Sequence, residues 1–277
     1  MSAIAPPLTY EQTTRVLARL AGVGDIVLVG GQAVNFWAGM YEHTTPELAD
    51  NGPYTSKDID FAGSKEAVQE CAVRLGGRAQ LATLDDMNTP STGLVLFVDE
   101  DGYHRQIDFL GMVAGVEDKK LFATSFLATI LDENGQAVAN FRVMHPEQCL
   151  ESRLYNVAHL DYAHAHGLNQ LRAAILCARE FARERVDYPT AKDLLRFNNR
   201  IISMARWGDG VLVYVRHGID VMTAIVDADD LPEKFRTLRL PFANADVERA
   251  RERGRAALAR SAACALARVQ SPPRAPS

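Results

Sequence analysis

Three aspartates are the residues whose type and spacing best fit a chemical role. Asp58 and Asp60 lie two residues apart in an apolar stretch, so on a strand both carboxylates would point to the same face. Asp108 lies in a second apolar stretch. If the two strands are neighbours, three carboxylates converge, which suits one or two Mg²⁺ ions and substrate phosphate. The alternative is a pair of solvated strand faces.

A glycine pair is the second chemical signal. Gly30 and Gly31 follow an apolar run and open a helical stretch. Paired glycines let backbone N–H groups turn toward one point, and a helix N-terminus adds about half a positive charge there, which suits phosphate. The motif is neither a Walker loop nor a Rossmann fingerprint, because no G-x-x-x-x-G-K-[ST] occurs and Gly22 and Gly24 precede the strand. The alternative is a tight strand-to-helix turn.

The elements that must position these residues follow from hydrophobic periodicity. Strands are predicted at 25–29, 59–62, 94–98, 105–110 and 137–143, with helices at 9–21, 32–38 and 64–75, a turn at 99–102 and a long surface loop at 39–55. Further helices are predicted near 147–161, 168–185, 190–206 and 245–268, and residues 211–214 are ambiguous. We therefore expect an α+β domain over 1–145, a mainly helical domain over 146–268 and a flexible tail at 269–277.

Composition excludes several classes of protein. The 277 residues are 47% hydrophobic and 23% charged, which is ordinary for a globular protein. No apolar run approaches the roughly 20 residues that span a membrane, and the first ten residues lack the features of a signal peptide. The four cysteines stand far apart, which argues against a disulfide framework or zinc site and predicts a cytoplasmic protein: Cys71, Cys149, Cys177 and Cys264.

Charge is divided unevenly along the chain. Residues 1–150 hold 20 acidic and 10 basic side chains, a balance of −10, whereas residues 151–277 hold 15 and 20, a balance of +5. The first part would attract cations and the second part polyanions, although helical surfaces also drift in charge without function.

Together these motifs resemble a known superfamily. The order of Gly30-Gly31, Asp58-x-Asp60 and a later Asp108 resembles the polymerase-β-like nucleotidyltransferases. The Val-Gly-Gly-x-Ala opening and the Ser56-x-Asp-Ile-Asp-Phe motif are similar to the AbiEii-type group, which includes abortive-infection and toxin–antitoxin proteins. The resemblance covers residues 25–110 closely and the helical part loosely. It implies a nucleotidyltransferase-like mixed sheet flanked by helices.

The resemblance also implies roles for single residues. Gly30, Gly31 and Ser56 would contact the nucleotide triphosphate. Asp58 and Asp60 would bind two Mg²⁺ ions, while Asp108 would hold one of them and help to deprotonate the acceptor hydroxyl.

The sequence departs from the group in two places. The 40–54 stretch is longer than the usual interval and resembles an insertion. Where the group has a lysine after the sheet domain, this chain has Arg153, which also binds phosphate. Lys192 and Asp193 correspond to a later Lys-Asp pair. The alternative for Arg153 and Lys192 is an exposed helix charge.

We therefore expect a Mg²⁺-dependent nucleotidyltransferase that moves a nucleoside monophosphate from an NTP, such as ATP, to an acceptor hydroxyl. The acceptor would be RNA, tRNA or a protein, the role a toxin or phage-defence effector, and an antitoxin its partner; no membrane is expected. Alternatives are an antibiotic-type small-molecule transferase, a non-catalytic nucleotide-binding module, and an α+β protein with an accidental match. His159, His164 and His166 are predicted to be ordinary helix and loop residues, because their spacing does not share one helical face.

Overall fold

The computed structural model describes residues 6–51, 58–83, 89–131 and 134–270. In these ranges the strands are β1 (Val27–Val29), β2 (Ile59–Ala62), β3 (Arg78–Leu81), β4 (Ser91–Val98), β5 (His104–Leu110), β6 (Phe126–Leu131) and β7 (Ala137–Val143). The helices are α1 (Tyr10–Arg19), α2 (Gly30–Tyr41), α3 (Pro46–Asn51), α4 (Lys65–Leu75), α5 (Asp118–Thr124), α6 (Pro146–His159), α7 (Ala165–Glu184), α8 (Ala191–Arg206), α9 (Gly208–His217) and α10 (Leu240–Gln270). The predicted α+β class, with a helical C-terminal region, is confirmed.

A mixed sheet forms the core of the first part of the chain. The described strands pair in the order β3-β4-β5-β2-β1-β7-β6. In its centre β1 runs antiparallel to β2 and parallel to β7, and β2 runs parallel to β5. Ile59 and Phe61 of β2 and Ile107 and Phe109 of β5 are fully buried, and the rings of Phe61 and Phe109 stack at 5.7 Å. Because strand side chains alternate, the aspartates between them point to the opposite face.

The start of β5 is fixed by a buried ion pair. The β4–β5 turn contains Asp99, whose carboxylate accepts a hydrogen bond of 2.7 Å from Arg105 Nε, and Arg105 Nη1 donates to the Pro6 carbonyl. Burial raises the pKa of Asp99, but hydrogen bonds from Arg105 and from the Tyr103 backbone outweigh it and hold the pKa below its usual value. The turn, strand β5 and the segment before α1 are thereby connected.

Helix α2 is anchored at the junction between β7 and α6. The buried Trp37 donates from Nε1 to the Met144 carbonyl at 2.9 Å. Phe36 packs edge-on against Phe141 of β7 at 5.3 Å between ring centroids. This helix begins at the glycine pair, so its anchoring fixes the backbone there.

The prediction of a long surface loop at 39–55 is wrong over much of that stretch. Helix α2 continues through Tyr41, and Pro46–Asn51 forms α3, whose Leu48 is fully buried. Proline at the first helical position and an acidic residue in the first turn both favour a helix start. Residues 52–57 lie outside the described ranges.

Three further elements have no counterpart in the sequence prediction. Strand β3 is a short edge strand that contains both polar and apolar residues. Strand β6 forms the other edge of the sheet, and every second residue of it is exposed, including the apolar Leu127 and Leu131. Helix α5 is only seven residues long. Short edge elements carry little periodic signal, because few of their side chains are constrained by burial.

The chain divides into two compact units at Glu180 and Phe181. The change from strands to helices falls at α6, where the sequence predicts it, but the first unit also includes α6 and most of α7. The reason is burial, because most residues of α6 are buried and Leu150 is completely so. The first unit therefore extends beyond the predicted boundary at 145–146.

The second unit is a small helical body. Helices α8 and α9 are followed by a 3₁₀ turn at Val221–Ala224, a π turn at Phe235–Arg239 and α10. The Asn198 side chain exchanges two hydrogen bonds with the Val226 backbone, at 2.8 and 2.9 Å. The ambiguous 211–214 stretch lies in α9. Helix α10 continues through Gln270, two residues into the predicted tail, and 271–277 lie outside the described ranges.

No helix in the described part of the chain combines the length and apolar character needed to cross a bilayer.

The Trp37 anchor gives a stability prediction. Trp37→Phe removes the indole donor to the Met144 carbonyl and is expected to lower the free energy of unfolding by about 1–3 kcal/mol, because this buried acceptor keeps the weaker Cys149 thiol donor at 3.5 Å. Urea denaturation measures this change. Trp207→Phe is the matched control, since Trp207 is 61% exposed. Equal changes in both variants would show that the Trp37 hydrogen bond contributes nothing specific.

Candidate functional site

Two carboxylates lie side by side in the centre of the sheet. Asp60 of β2 and Asp108 of β5 are direct partners in the parallel register. Neighbouring strands are about 4.8 Å apart, so both side chains project from adjacent positions on the same face. Asp58 precedes β2 and is exposed, and it contributes to the electrostatic field at both other carboxylates.

The glycine pair lies directly against these carboxylates. Gly30 has a φ of +65°, and a Cβ atom built there would overlap the Asp60 carboxylate, with Cγ only 2.9 Å away. A Cβ atom at Gly31 would come within 2.5 Å of Gln170 Nε2. The absence of side chains at both positions therefore allows the backbone at the start of α2 to approach Asp60 and Gln170.

Arg153 supplies a buried positive charge beside the carboxylates. Helix α6, which begins at Pro146 with His145 as N-cap, places Arg153 where only 6% of its surface is exposed. Its Nη1 donates to Gln170 Oε1 at 3.0 Å, and its Cζ lies 5.7 Å from the centre of the Tyr162 ring. Its Nε has no hydrogen-bond partner among the described residues.

These residues surround two adjoining cavities in the first unit. One, of about 690 Å³, is lined by Gly31, Asp58, Asp60, Asp108, Arg153, Tyr162, His164, His166 and Gln170, together with Pro7. The other, of about 750 Å³, shares four of these residues (Asp60, Asp108, Arg153 and Tyr162) and adds Gly30, Ser91, Ser152 and Asn156. Each volume falls within the roughly 300–1,000 Å³ typical of small-molecule sites.

The carboxylates repel one another. Burial raises the pKa of Asp60 to about 6; the charge on Asp108 adds to this shift, Arg153 opposes it, and Asp58 adds a smaller increase. Burial also raises the pKa of Asp108, where a hydrogen bond of 2.8 Å from Gln106 Nε2 opposes the shift and Asp58 supports it. Burial lowers the pKa of Arg153, and nearby groups including Asp60 counteract that effect. Among the described residues, the positive charge of Arg153 therefore does not balance the carboxylates of the site.

Helix α6 carries a stripe of buried polar side chains. Gln148, Ser152 and Asn156 recur every fourth residue, and each has an oxygen with no hydrogen-bond partner in the described structure. Ser152 and Asn156 line the larger cavity. A buried oxygen without a hydrogen-bond partner lowers the stability of the fold. The presence of two such oxygens at a cavity wall therefore indicates that a ligand or water donates a hydrogen bond to them.

Six of the predicted site residues come together here: Gly30, Gly31, Asp58, Asp60, Asp108 and Arg153. Ser56 lies outside the described residues. Lys192 belongs to the second unit, where it is exposed in the first turn of α8. Its neighbour Asp193 is engaged locally, with Thr190 and Arg196.

The histidines occupy helix and loop positions, as the sequence predicts, but two of the three also line a cavity. His164 and His166 line the smaller cavity, with their rings parallel and 6.3 Å apart. His159 instead packs against Tyr155. Helix α6 ends at His159 and a non-helical turn precedes α7, so the three histidines do not share one helix. The four-residue repeat of polar side chains in α6 was the signal that could have revealed Ser152 and Asn156.

The donor set fits a hard cation in type. Carboxylate, hydroxyl and amide oxygens are the ligands that Mg²⁺ prefers. Within the described residues, however, no three His, Cys, Asp or Glu side chains are arranged as a ready metal-binding group. A two-metal centre therefore stays a prediction.

The cysteines take no part in this site. All four thiols are free; Cys71, Cys149 and Cys177 are buried and Cys264 is exposed. Burial raises the pKa of Cys71 and Cys149 to about 12, so neither is a ready thiolate nucleophile.

Comparison with protein-family models, curated proteins and solved structures finds no match for this chain.

The raised pKa of Asp60 predicts how stability depends on pH. Since the folded-state pKa is about 6 and the ordinary value is 3.8, the contribution of Asp60 to stability is greatest below pH 4 and is lost as pH rises through about 6. In the wild-type protein without Mg²⁺, this loss should lower the free energy of unfolding by about 2 kcal/mol between pH 4.5 and 7.5. Asp60→Asn should abolish that part of the decline. Urea unfolding at pH 4.5 and 7.5 measures it, with exposed Asp227→Asn as control. An unchanged decline in Asp60→Asn would contradict the assignment.

The close approach at Gly30 gives a second prediction. Gly30→Ala should be destabilising by clearly more than Gly76→Ala. Both residues have positive φ, +65° and +63°, but a Cβ atom at Gly76 meets nothing within 4 Å. Gly76→Ala therefore reports only backbone strain, about 1–2 kcal/mol. Thermal denaturation compares the two variants, and equal losses would mean that Asp60 does not press against Gly30.

Proposed function

We propose that this protein is a Mg²⁺-dependent nucleotidyltransferase, which transfers a nucleoside monophosphate from an NTP to an acceptor hydroxyl. The observation that carries the proposal is the paired register of Asp60 and Asp108, facing a glycine turn that leaves no room for a side chain and a buried arginine. Carboxylates, backbone N–H groups and a guanidinium are the groups that phosphoryl transfer requires.

The chain's own residues bind and orient the nucleotide. The start of α2 presents backbone N–H groups at Gly30 and Gly31, which suit the β- and γ-phosphates. Arg153 is held in place by Gln170 and by the Tyr162 ring, and its unpartnered Nε leaves a donor for phosphate. Ser56 is proposed to contact the triphosphate, and the phosphate-binding role expected for Lys192 stays a prediction.

Asp58, Asp60 and Asp108 would hold Mg²⁺. Bound Mg²⁺ supplies neutralisation of charge on the phosphates and makes an acceptor hydroxyl more acidic. Its positive charge would also reduce the mutual repulsion of the carboxylates, which the buried Arg153 only partly offsets.

Asp108 is the proposed general base. In the transfer step the acceptor oxygen forms a bond to the α-phosphorus. The bond from that phosphorus to the oxygen that bridges the α- and β-phosphates breaks, and pyrophosphate leaves. The acceptor proton passes to Asp108, whose raised pKa makes it a better base than an ordinary carboxylate. Asp60 and Asp108 border both cavities, so a nucleotide in one would meet an acceptor in the other.

The acceptor we propose is a hydroxyl of RNA, tRNA or a protein, as in a toxin or defence effector controlled by an antitoxin. The basic balance of residues 151–277 supports a polyanionic acceptor.

Labelling tests the proposal directly. The protein is incubated with each [α-³²P]NTP and Mg²⁺, with total RNA, with a cell extract freed of nucleic acid, or with neither. Transfer of label to a macromolecule that disappears on removal of Mg²⁺ is the expected result. The absence of transfer from all four nucleotides to every acceptor, together with no Mg²⁺-dependent rise in Tm with NTP, would overturn the proposal.

Asp108→Asn separates catalysis from binding. The substitution is nearly isosteric, so the variant should keep most of its NTP–Mg²⁺ affinity while transfer falls by about 10²–10⁴-fold, the usual contribution of a general base. Calorimetric titration and the transfer assay are run on the same folded sample. Asp227→Asn, on the surface of the second unit, is the control. Transfer at the wild-type rate by Asp108→Asn would remove Asp108 from the mechanism.

A further inference from the structure

A second kind of cavity lies on the other face of the sheet. It has a volume of about 290 Å³ and is walled by α1, α2, β6 and β7, with Leu8, Leu17, Leu28, Phe36, Ile130 and Phe141 among its apolar lining residues. Leu28 is the register partner of Phe61, so it projects from the face opposite to Asp60. The cavity is therefore separate from the carboxylate site.

Two buried amide side chains lie in the wall of this cavity, which also includes the threonines Thr13, Thr14 and Thr129. Gln32 and Asn35 of α2 are 4% and 8% exposed, and Asn35 Nδ2 donates to Gln32 Oε1 at 3.2 Å. Gln32 Nε2 and Asn35 Oδ1 have no partner among the residues that the structure describes. If both amides are turned over, their mutual bond reverses and one donor and one acceptor are again left. The pair thus offers a donor and an acceptor in either orientation.

The residue types that line this cavity define the kind of molecule that it could bind. None of its described lining residues carries a charge, so an ion would be bound poorly. The aromatic rings of Phe36 and Phe141 suit a planar molecule, and the volume lies at the lower end of the range for small-molecule sites. We propose that this cavity binds a neutral planar molecule with an adjacent hydrogen-bond donor and acceptor, the edge shared by an aryl carboxamide and a nucleobase.

Water is the competing occupant. A buried water normally makes about three hydrogen bonds to the protein, and the six apolar residues named above offer it none, so among the described lining residues a water would depend on the two amides and the three threonines. A ligand that pairs with both amides and covers the apolar wall satisfies the same two atoms and also buries apolar surface. The inference does not depend on the proposed nucleotide transfer, because it uses none of the residues in that site.

The experiment uses the full chain and three probes of similar size. Benzamide carries the donor and the acceptor, methyl benzoate only acceptors, and toluene neither. Titrations are followed by methyl NMR of Ile130 and Leu131, which line the cavity, with the buried Leu121 of α5 as reference. Benzamide should bind at least about tenfold more tightly than the other two probes, the factor expected for one hydrogen bond. Uracil, titrated in parallel, distinguishes a nucleobase from a carboxamide.

Matched variants test the role of the amides. Gln32→Met should reduce benzamide affinity about tenfold and leave toluene affinity unchanged, whereas Gln80→Met, on the exposed edge strand β3, should change neither. If Gln32→Met does not fold, the comparison of the three probes on the wild-type protein still decides the question. Equal binding of benzamide and methyl benzoate, shifts at Leu121 but not at Ile130 or Leu131, or no binding by benzamide and uracil would overturn the inference.

Discussion

The parallel pairing of β2 with β5 is the constraint on which the candidate site depends. It aligns Asp60 with Asp108 and, on the opposite face, Phe61 with Phe109. The same register therefore fixes a hydrophobic cluster and a carboxylate pair. A shift by one residue would exchange the two faces and place charge in the core, so burial of the aromatic side protects the polar arrangement.

Electrostatic strain is the second property of the site. The fold places two partly buried carboxylates next to each other, and among the described residues it compensates them with one buried guanidinium, that of Arg153. The glycine turn adds backbone donors but no full charge. Such an arrangement is costly for folding alone, and the proposed binding of a cation would offset that cost. The buried oxygens of α6 fit the same description.

Many of the strands and helices could be predicted from the sequence, because strongly alternating or amphipathic stretches show directly which residues are buried. The bounds of β2 and β7 match the prediction, and α4 with its Ser64 cap begins one residue later. The cavity positions of His164 and His166 and the polar stripe of α6 were missed, since they depend on the turn between α6 and α7 and on the packing of α6 against α2. Which residues line a cavity is a property of tertiary contacts that no local pattern encodes. The nucleotidyltransferase resemblance stays a prediction.

The order of strands has a consequence for how the chain acquires its site during synthesis. Since β5 emerges after β2, β3 and β4 and inserts beside β2, the carboxylate pair cannot exist in any nascent chain that ends before Leu110. Non-local parallel pairing is also slow to form, because its loop-closure entropy is lost before the contacts are gained. The mutual repulsion of the two aspartates thus arises only once β5 has paired with β2. By then the aromatic cluster is paired as well, and a partly folded chain carries neither the site nor its cost.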